Sequence, residues 1–168
     1  MEIATPNAER YDLIPEAGRP IDYIFVHCTA TSQRTTIESL RLYWREKLHW
    51  IFPGYHYVVM PGGEIEKLCE LTTIANGVKG YNRSSIHVAW LGGIDRCGRP
   101  TDNRTVNQKA SLFCILHKFA THYPNAKILG HRDISPDLNH NGIVDPWERI
   151  KECPCFDVAT EYEKLITP

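Results

Sequence analysis

A chain of 168 residues, 42% hydrophobic, with 11 glycines and 11 prolines spread along it, has the size of one globular domain around one core. Its formal net charge of −1 removes any overall basic bias toward nucleic acid or an anionic membrane surface. The longest apolar runs, such as 23–26 and 57–60, are strand-sized and fall well short of the ~20 residues that cross a bilayer.

The N-terminal stretch MEIATPNAERYDLIPEAGRP has no basic region, apolar segment or small-residue cleavage site of a secretory signal, so synthesis in the cytoplasm is expected. Residues 1–20 read as an irregular lead and 21–168 as the domain. Residues 21–28 (IDYIFVHC) are β-branched and aromatic, as in a buried strand, with His27 near its C-terminal end. Over 36–49 the apolar residues Ile37, Leu40, Tyr43, Trp44 and Leu48 recur at helical spacing, with Thr35 or Thr36 as N-cap and Glu38 and Glu46 facing solvent. Pro53-Gly54 then releases a strand over 55–60, which the Pro61-Gly62-Gly63 turn joins to 64–68 as a hairpin.

Residues 85–91 (SIHVAWL) predict another strand, followed by a glycine-rich turn and a polar loop over 95–104. The clearest helix is 105–122, with Val106, Ala110, Phe113, Cys114, Leu116, His117 and Ala120 along its apolar side. A short strand over 127–130 delivers His131, and 158–166 closes the domain as a helix. Strands and helices interleave, so the expected class is α/β: a single domain with a mixed central sheet flanked by helices.

Three segments far apart, VHCTAT around His27, GHRD around His131 and KECPCFD around Cys153, together offer two imidazoles and a thiolate. Zinc takes nitrogen and sulfur donors in a tetrahedron, and a catalytic site keeps three protein ligands with water in the fourth position. Each residue alone is a weak signal, since a histidine ending a buried strand is more often structural and a single cysteine is usually a small buried side chain. The pair Cys153 and Cys155 in CPC leaves the choice of sulfur open. The irregular spacing of the six cysteines is unlike a disulfide scaffold, so free thiols are expected.

The order of the segments FVHCTAT, PGYHYVVMPGGEIE, KGYNRSSIHVAWLGGID, GHRD and KECPCFDV resembles the zinc-dependent N-acetylmuramoyl-L-alanine amidases of the type-2 class, a family that includes short phage lysozymes and is related to peptidoglycan recognition proteins. The resemblance runs from Asp22 to Val158. It implies that His27, His131 and Cys153 are the zinc ligands, Cys153 being selected over Cys155 by the family's Cys-Pro pattern, and that Tyr55 and Lys151 are the catalytic tyrosine and lysine. In that chemistry zinc activates water for attack on an amide, Lys151 places an ammonium beside the developing oxyanion, and the Tyr55 hydroxyl orients water or stabilises the oxyanion. His56, next along the strand from Tyr55, is expected on the opposite face and not as a ligand. One position departs from the pattern: Gly77 stands where the family often carries a histidine of the substrate groove.

Between His131 and Cys153 lies SPDLNHNGIVDPWE. Asp137, Asn139, Asn141, Gly142, Asp145 and Glu148 fall at positions 1, 3, 5, 6, 9 and 12 of an EF-hand-like loop, with Ile143 supplying the position-7 carbonyl. This predicts a structural Ca2+ site over 137–148 that orders the segment carrying Lys151 and Cys153. The alternative is an Asx-rich turn capping a helix that begins near Pro146. The resemblance implies a peptidoglycan or muropeptide substrate; charge and apolar-run length predict no nucleic-acid partner and no membrane insertion, a monomer is expected, and a wall-degrading activity without a secretory signal suggests a phage or prophage lysin, with a cell-wall recycling enzyme as the alternative. A non-catalytic peptidoglycan-binding module is the rival reading, and such relatives typically lose the cysteine.

Overall fold

A computed structural model describes residues 14–166. A five-stranded mixed sheet is built from β1 (Tyr23–Cys28), β2 (Tyr57–Val59), β3 (Ile65–Lys67), β4 (Ser85–Trp90) and β5 (Lys127–Gly130), in the order β3-β2-β4-β1-β5. The strands β2, β4, β1 and β5 run parallel, and β3 is the antiparallel edge returned by the Pro61-Gly62-Gly63 turn. Gly63 takes φ +97, a conformation that favours glycine, and its carbonyl accepts from the Ser111 hydroxyl at 2.6 Å.

The central strands are buried on both faces, as parallel strands are. One face carries Ile24, Val26 and Cys28 of β1 with Ile86, Val88 and Trp90 of β4, packed under helix α2 (Val106–His122) and the C-terminal segment. The other carries Val58 and Ala89, covered by Leu40 and Trp44 of helix α1 (Ile37–Glu46). Thr36 caps α1 by accepting from the Ser39 amide, and the helix stops at Glu46, so its last predicted turn is absent. Tyr43, 54% exposed, lies off the packed face.

Helix α2 forms where expected but is rotated. Its buried side is Gln108, Ser111, Leu112, Ile115, Leu116 and Phe119, whereas Val106 is 82% exposed and Phe113, Cys114 and His117 face solvent. The cause is polar: the Gln108 amide donates to the carbonyls of Val59 (3.1 Å) and Leu91 (2.9 Å), and its oxygen accepts from the Thr105 amide in a capping box. A buried polar group with partners at both ends costs little, and here it fixes a face that the apolar pattern assigned correctly only at Leu116 and Ala120. The closing segment forms two short helices, α3 (Val158–Glu161) and α4 (Glu163–Ile166), instead of one.

Part of the expected lead, 1–13, lies outside the described residues. The rest is irregular but docked: Ala17 is 2% exposed, and the Arg19 guanidinium donates to the carbonyls of Leu71, Thr73, Arg83 and Ser85. Among the described residues no helix is long and apolar enough to cross a membrane.

Candidate metal centre and active site

The C-terminal ends of parallel strands are where α/β sheets place their ligands, because the chain leaves the sheet there as loops. His27 sits at that end of β1, 1% exposed, on the α1 side of the sheet. His131 follows β5 and opens a tight helical turn, His131–Ile134. The same turn fixes the third segment, since the Arg132 amide donates to the Cys153 carbonyl at 2.8 Å. Gly130 fits closely there: a Cβ on it would stand 2.7 Å from Cδ of Pro154.

These contacts bring His27, His131 and Cys153 together, with one potential ligand atom from each all within 4.8 Å of one another. Nδ1 of His27 lies 3.7 Å from Sγ of Cys153, and the sulfur accepts from the Cys28 amide at 3.2 Å. Burial, followed by the neighbouring His87 and His131, holds the His27 imidazole well below its ordinary range. His131 is lowered to about 4 by burial and then by the Lys151 ammonium. Both rings are therefore neutral near pH 7 and keep a free lone pair, the form a metal requires.

Cys155 takes another direction. It adopts φ +74 and places its sulfur 3.7 Å from Sγ of Cys28 and 3.5 Å from the Gly93 carbonyl. Its hydrogen bond with Cys28 and its burial push the thiol strongly upward, so it is held protonated outside the cluster.

Tyr55 lies before β2, its ring edge-on to Trp44 at 5.5 Å and 5.1 Å from the His27 ring. Its hydroxyl donates to the Cys28 carbonyl at 3.4 Å. Burial, then Cys153 and Cys28, raise the phenol well above its usual value, so it remains a donor. Lys151 is exposed two residues before Cys153, close enough for its charge to depress both histidines.

The expected opposite orientation of His56 is corrected by the fold. Because β2 begins only at Tyr57, strand alternation does not relate Tyr55 to His56, and the His56 ring stacks on His87 at 5.8 Å on the site's own side. It is not available as a ligand for a different reason: Nδ1 accepts from the His87 amide (3.0 Å) and Nε2 donates to the Thr73 carbonyl (3.0 Å).

The Ca2+ expectation finds no support in the loop 137–148. Glu148, 4% exposed, spends both carboxylate oxygens on the amides of Leu138, Asn139 and Asp145 instead of closing a cation shell. Asp137 accepts from the amides of Asn141 and Gly142, and Asp145 accepts from the side-chain amides of Asn139 and Asn141. The Ile143 amide in turn donates to Asn141. The arrangement is the Asx-rich turn, leading into the short turn Pro146–Glu148.

Sequence reasoning missed His87. It is fully buried on β4, its Nδ1 3.1 Å from Nε2 of His27. The signal was an imidazole in the middle of the apolar run SIHVAWL, but only the β1–β4 register, which pairs Phe25 with His87, puts it on the His27 side.

Residues 17–154 match the family described as N-acetylmuramoyl-L-alanine amidase. The chain belongs to that family. Among curated relatives, the endolysin of Enterobacteria phage K11 is 33% identical over 135 residues, 80% of each chain, and the endolysin of Escherichia phage T7 is 32% identical over 145 residues, 85% of this chain and 86% of its own. Among solved structures, the Ph2119 endolysin from a Thermus scotoductus bacteriophage superposes with TM-score 0.66 at 22% identity, covering 94% of both chains. The bumblebee peptidoglycan recognition protein PGRP-SA superposes with TM-score 0.64 at 14% identity, over 86% of this chain and 81% of that one. The amidase family thus shares its fold with recognition proteins, and the donor set of His27, His131 and Cys153 is compatible with zinc.

Proposed function

We propose that this member of the amidase family is a zinc-dependent peptidoglycan hydrolase that cleaves the amide between the lactyl group of N-acetylmuramic acid and the L-alanine that opens the stem peptide. The convergence of His27, His131 and Cys153 carries this reading. Two neutral imidazoles and one thiolate match zinc's preference for nitrogen and sulfur, and their charge of −1 partly neutralises the ion. Zinc, when bound, supplies Lewis acidity and brings the pKa of water toward ~7.

The remaining steps fall to side chains of this chain. Lys151, exposed beside the thiolate, offers its ammonium to the carbonyl oxygen as negative charge develops on it. Tyr55 stays protonated and offers its O–H to the same region, its ring held against Trp44. The buried Trp44 and His27 and the partly buried Tyr55 lower the local dielectric and strengthen these interactions.

A binding-only role is the second reading, favoured by the fold shared with recognition proteins. The thiol of Cys153 within the cluster argues for catalysis instead. The similarity to phage endolysins supports the role of a phage lysin acting on the cell wall. Cys153→Ser should abolish both bound zinc and the release of L-alanine amino termini from purified cell wall, whereas Cys155→Ser should retain them. Equal loss in the two variants would overturn the ligand assignment.

A further inference from the structure

We propose that His87 is a positioning residue for the metal centre: its Nδ1 accepts the Nε2 proton of His27 and so holds that imidazole as the tautomer whose Nδ1 lone pair faces the metal. This rests on the zinc reading above and extends it to a residue outside the ligand set. The geometry divides the two nitrogens of His27 cleanly, Nδ1 lying 3.7 Å from the Cys153 sulfur and Nε2 lying 3.1 Å from Nδ1 of His87. A proton on Nδ1 would point at the thiolate and leave no lone pair for the ion. Metal binding therefore requires the proton on Nε2, where His87 is the partner within hydrogen-bond distance.

His87 is built to stay in place. Its ring lies between Phe25 (5.7 Å, 12° between planes) and His56 (5.8 Å, 11°). Its backbone amide is taken by His56, whose other nitrogen is satisfied by the Thr73 carbonyl, so His56 does not compete for Nδ1 of His87. Among the described residues, Nε2 of His87 is buried without a partner, a costly state for a buried polar atom.

Gly77 supplies independent support. A Cβ at this position would stand 2.3 Å from Nδ1 of His87, so only glycine leaves room for the ring as it sits. The departure from the family pattern at position 77 thus clears the space that the His87 imidazole occupies.

The test compares His87→Asn, which keeps an acceptor oxygen near the Nδ1 position, with His87→Leu, which has similar size and no acceptor. Zinc affinity is measured by chelator competition, the visible spectrum is recorded with Co2+ in place of zinc, and melting of the metal-free proteins monitors packing. Both variants should lose similar melting temperature, because both lose the stacked ring. The Asn variant should keep zinc affinity within about threefold of the natural protein and retain its Co2+ spectrum, whereas the Leu variant should bind about 10- to 100-fold more weakly with an altered spectrum. Gly77→Ala, which displaces the ring without removing it, should weaken zinc binding by at least about tenfold. Equal affinities and spectra for the Asn and Leu variants, or unchanged affinity in Gly77→Ala, would overturn the role of His87 while leaving the zinc site standing. Failure of the natural protein to bind zinc at all would overturn both.

Discussion

Lys151 and Tyr55 meet the site from opposite conditions, one exposed on an irregular segment and the other enclosed against Trp44 and His27. Removing the charge in Lys151→Met should lower turnover about 10²- to 10³-fold, the usual cost of one oxyanion donor. Tyr55→Phe should also lower turnover, with folding nearly unchanged because the ring contacts remain. In each case zinc content should stay at the natural level; loss of metal would mean that the residue shapes the centre instead of serving the reaction. His27, His131 and Cys153 were each a weak signal alone; the ordered family segments pointed to them, and the fold brings the three together. His87 was not legible in sequence, because its role depends on strand register and on the space above Gly77, neither of which a linear pattern encodes.

At the scale of elements, α2 shows how a buried polar residue overrides an apolar stripe. The expected face followed Val106, Phe113 and His117, but the carbonyls of Val59 and Leu91, which both accept from the Gln108 side chain, draw it inward and turn the helix. Gln108→Leu, which the apolar pattern would welcome, should instead cost roughly 1–3 kcal/mol by denaturant unfolding, since it takes the Gln108 donor away from the Leu91 carbonyl. The segment bearing Lys151 and Cys153 is likewise held by hydrogen bonds and packing. The Ile150 amide donates to Ser135 at 3.0 Å, Trp90 donates to the Pro154 carbonyl at 3.2 Å, and the buried Arg104 lies 3.3 Å over the Phe156 ring while pairing with Asp102 and Glu161. Glu148 itself closes the loop by accepting from the amides of Leu138 and Asp145. A calcium-selective chelator should accordingly leave the melting temperature unchanged; a fall of several degrees, reversed by calcium, would reinstate a cation at Asp137, Asn139, Asn141, Ile143, Asp145 and Glu148.

Across the whole molecule, the alternation of strand and helix made the mixed sheet legible, and the fold then gathers four imidazoles into one cluster: His27, His56, His87 and His131. All are depressed below the ordinary histidine range, His56 and His131 to about 4, with burial the largest cause throughout. In the unfolded chain they take up protons near pH ~6.5, which the folded protein refuses. The stability of the metal-free protein should therefore be full above about pH 6.5 and decline as pH falls toward about 4, read as a falling melting temperature. A constant melting temperature over that window would mean that these rings are not neutral in the fold.

Amide hydrolysis at this cluster is the central claim, and the products of wall digestion test it most directly. Purified peptidoglycan is incubated with the metal-free protein, with and without added zinc, and the new ends are identified by mass spectrometry. The expected result is zinc-dependent appearance of stem peptides with free L-alanine amino termini, matched by intact N-acetylmuramic acid lactyl carboxyls. New sugar reducing ends, cleavage within the peptide, or binding without any new ends would contradict it.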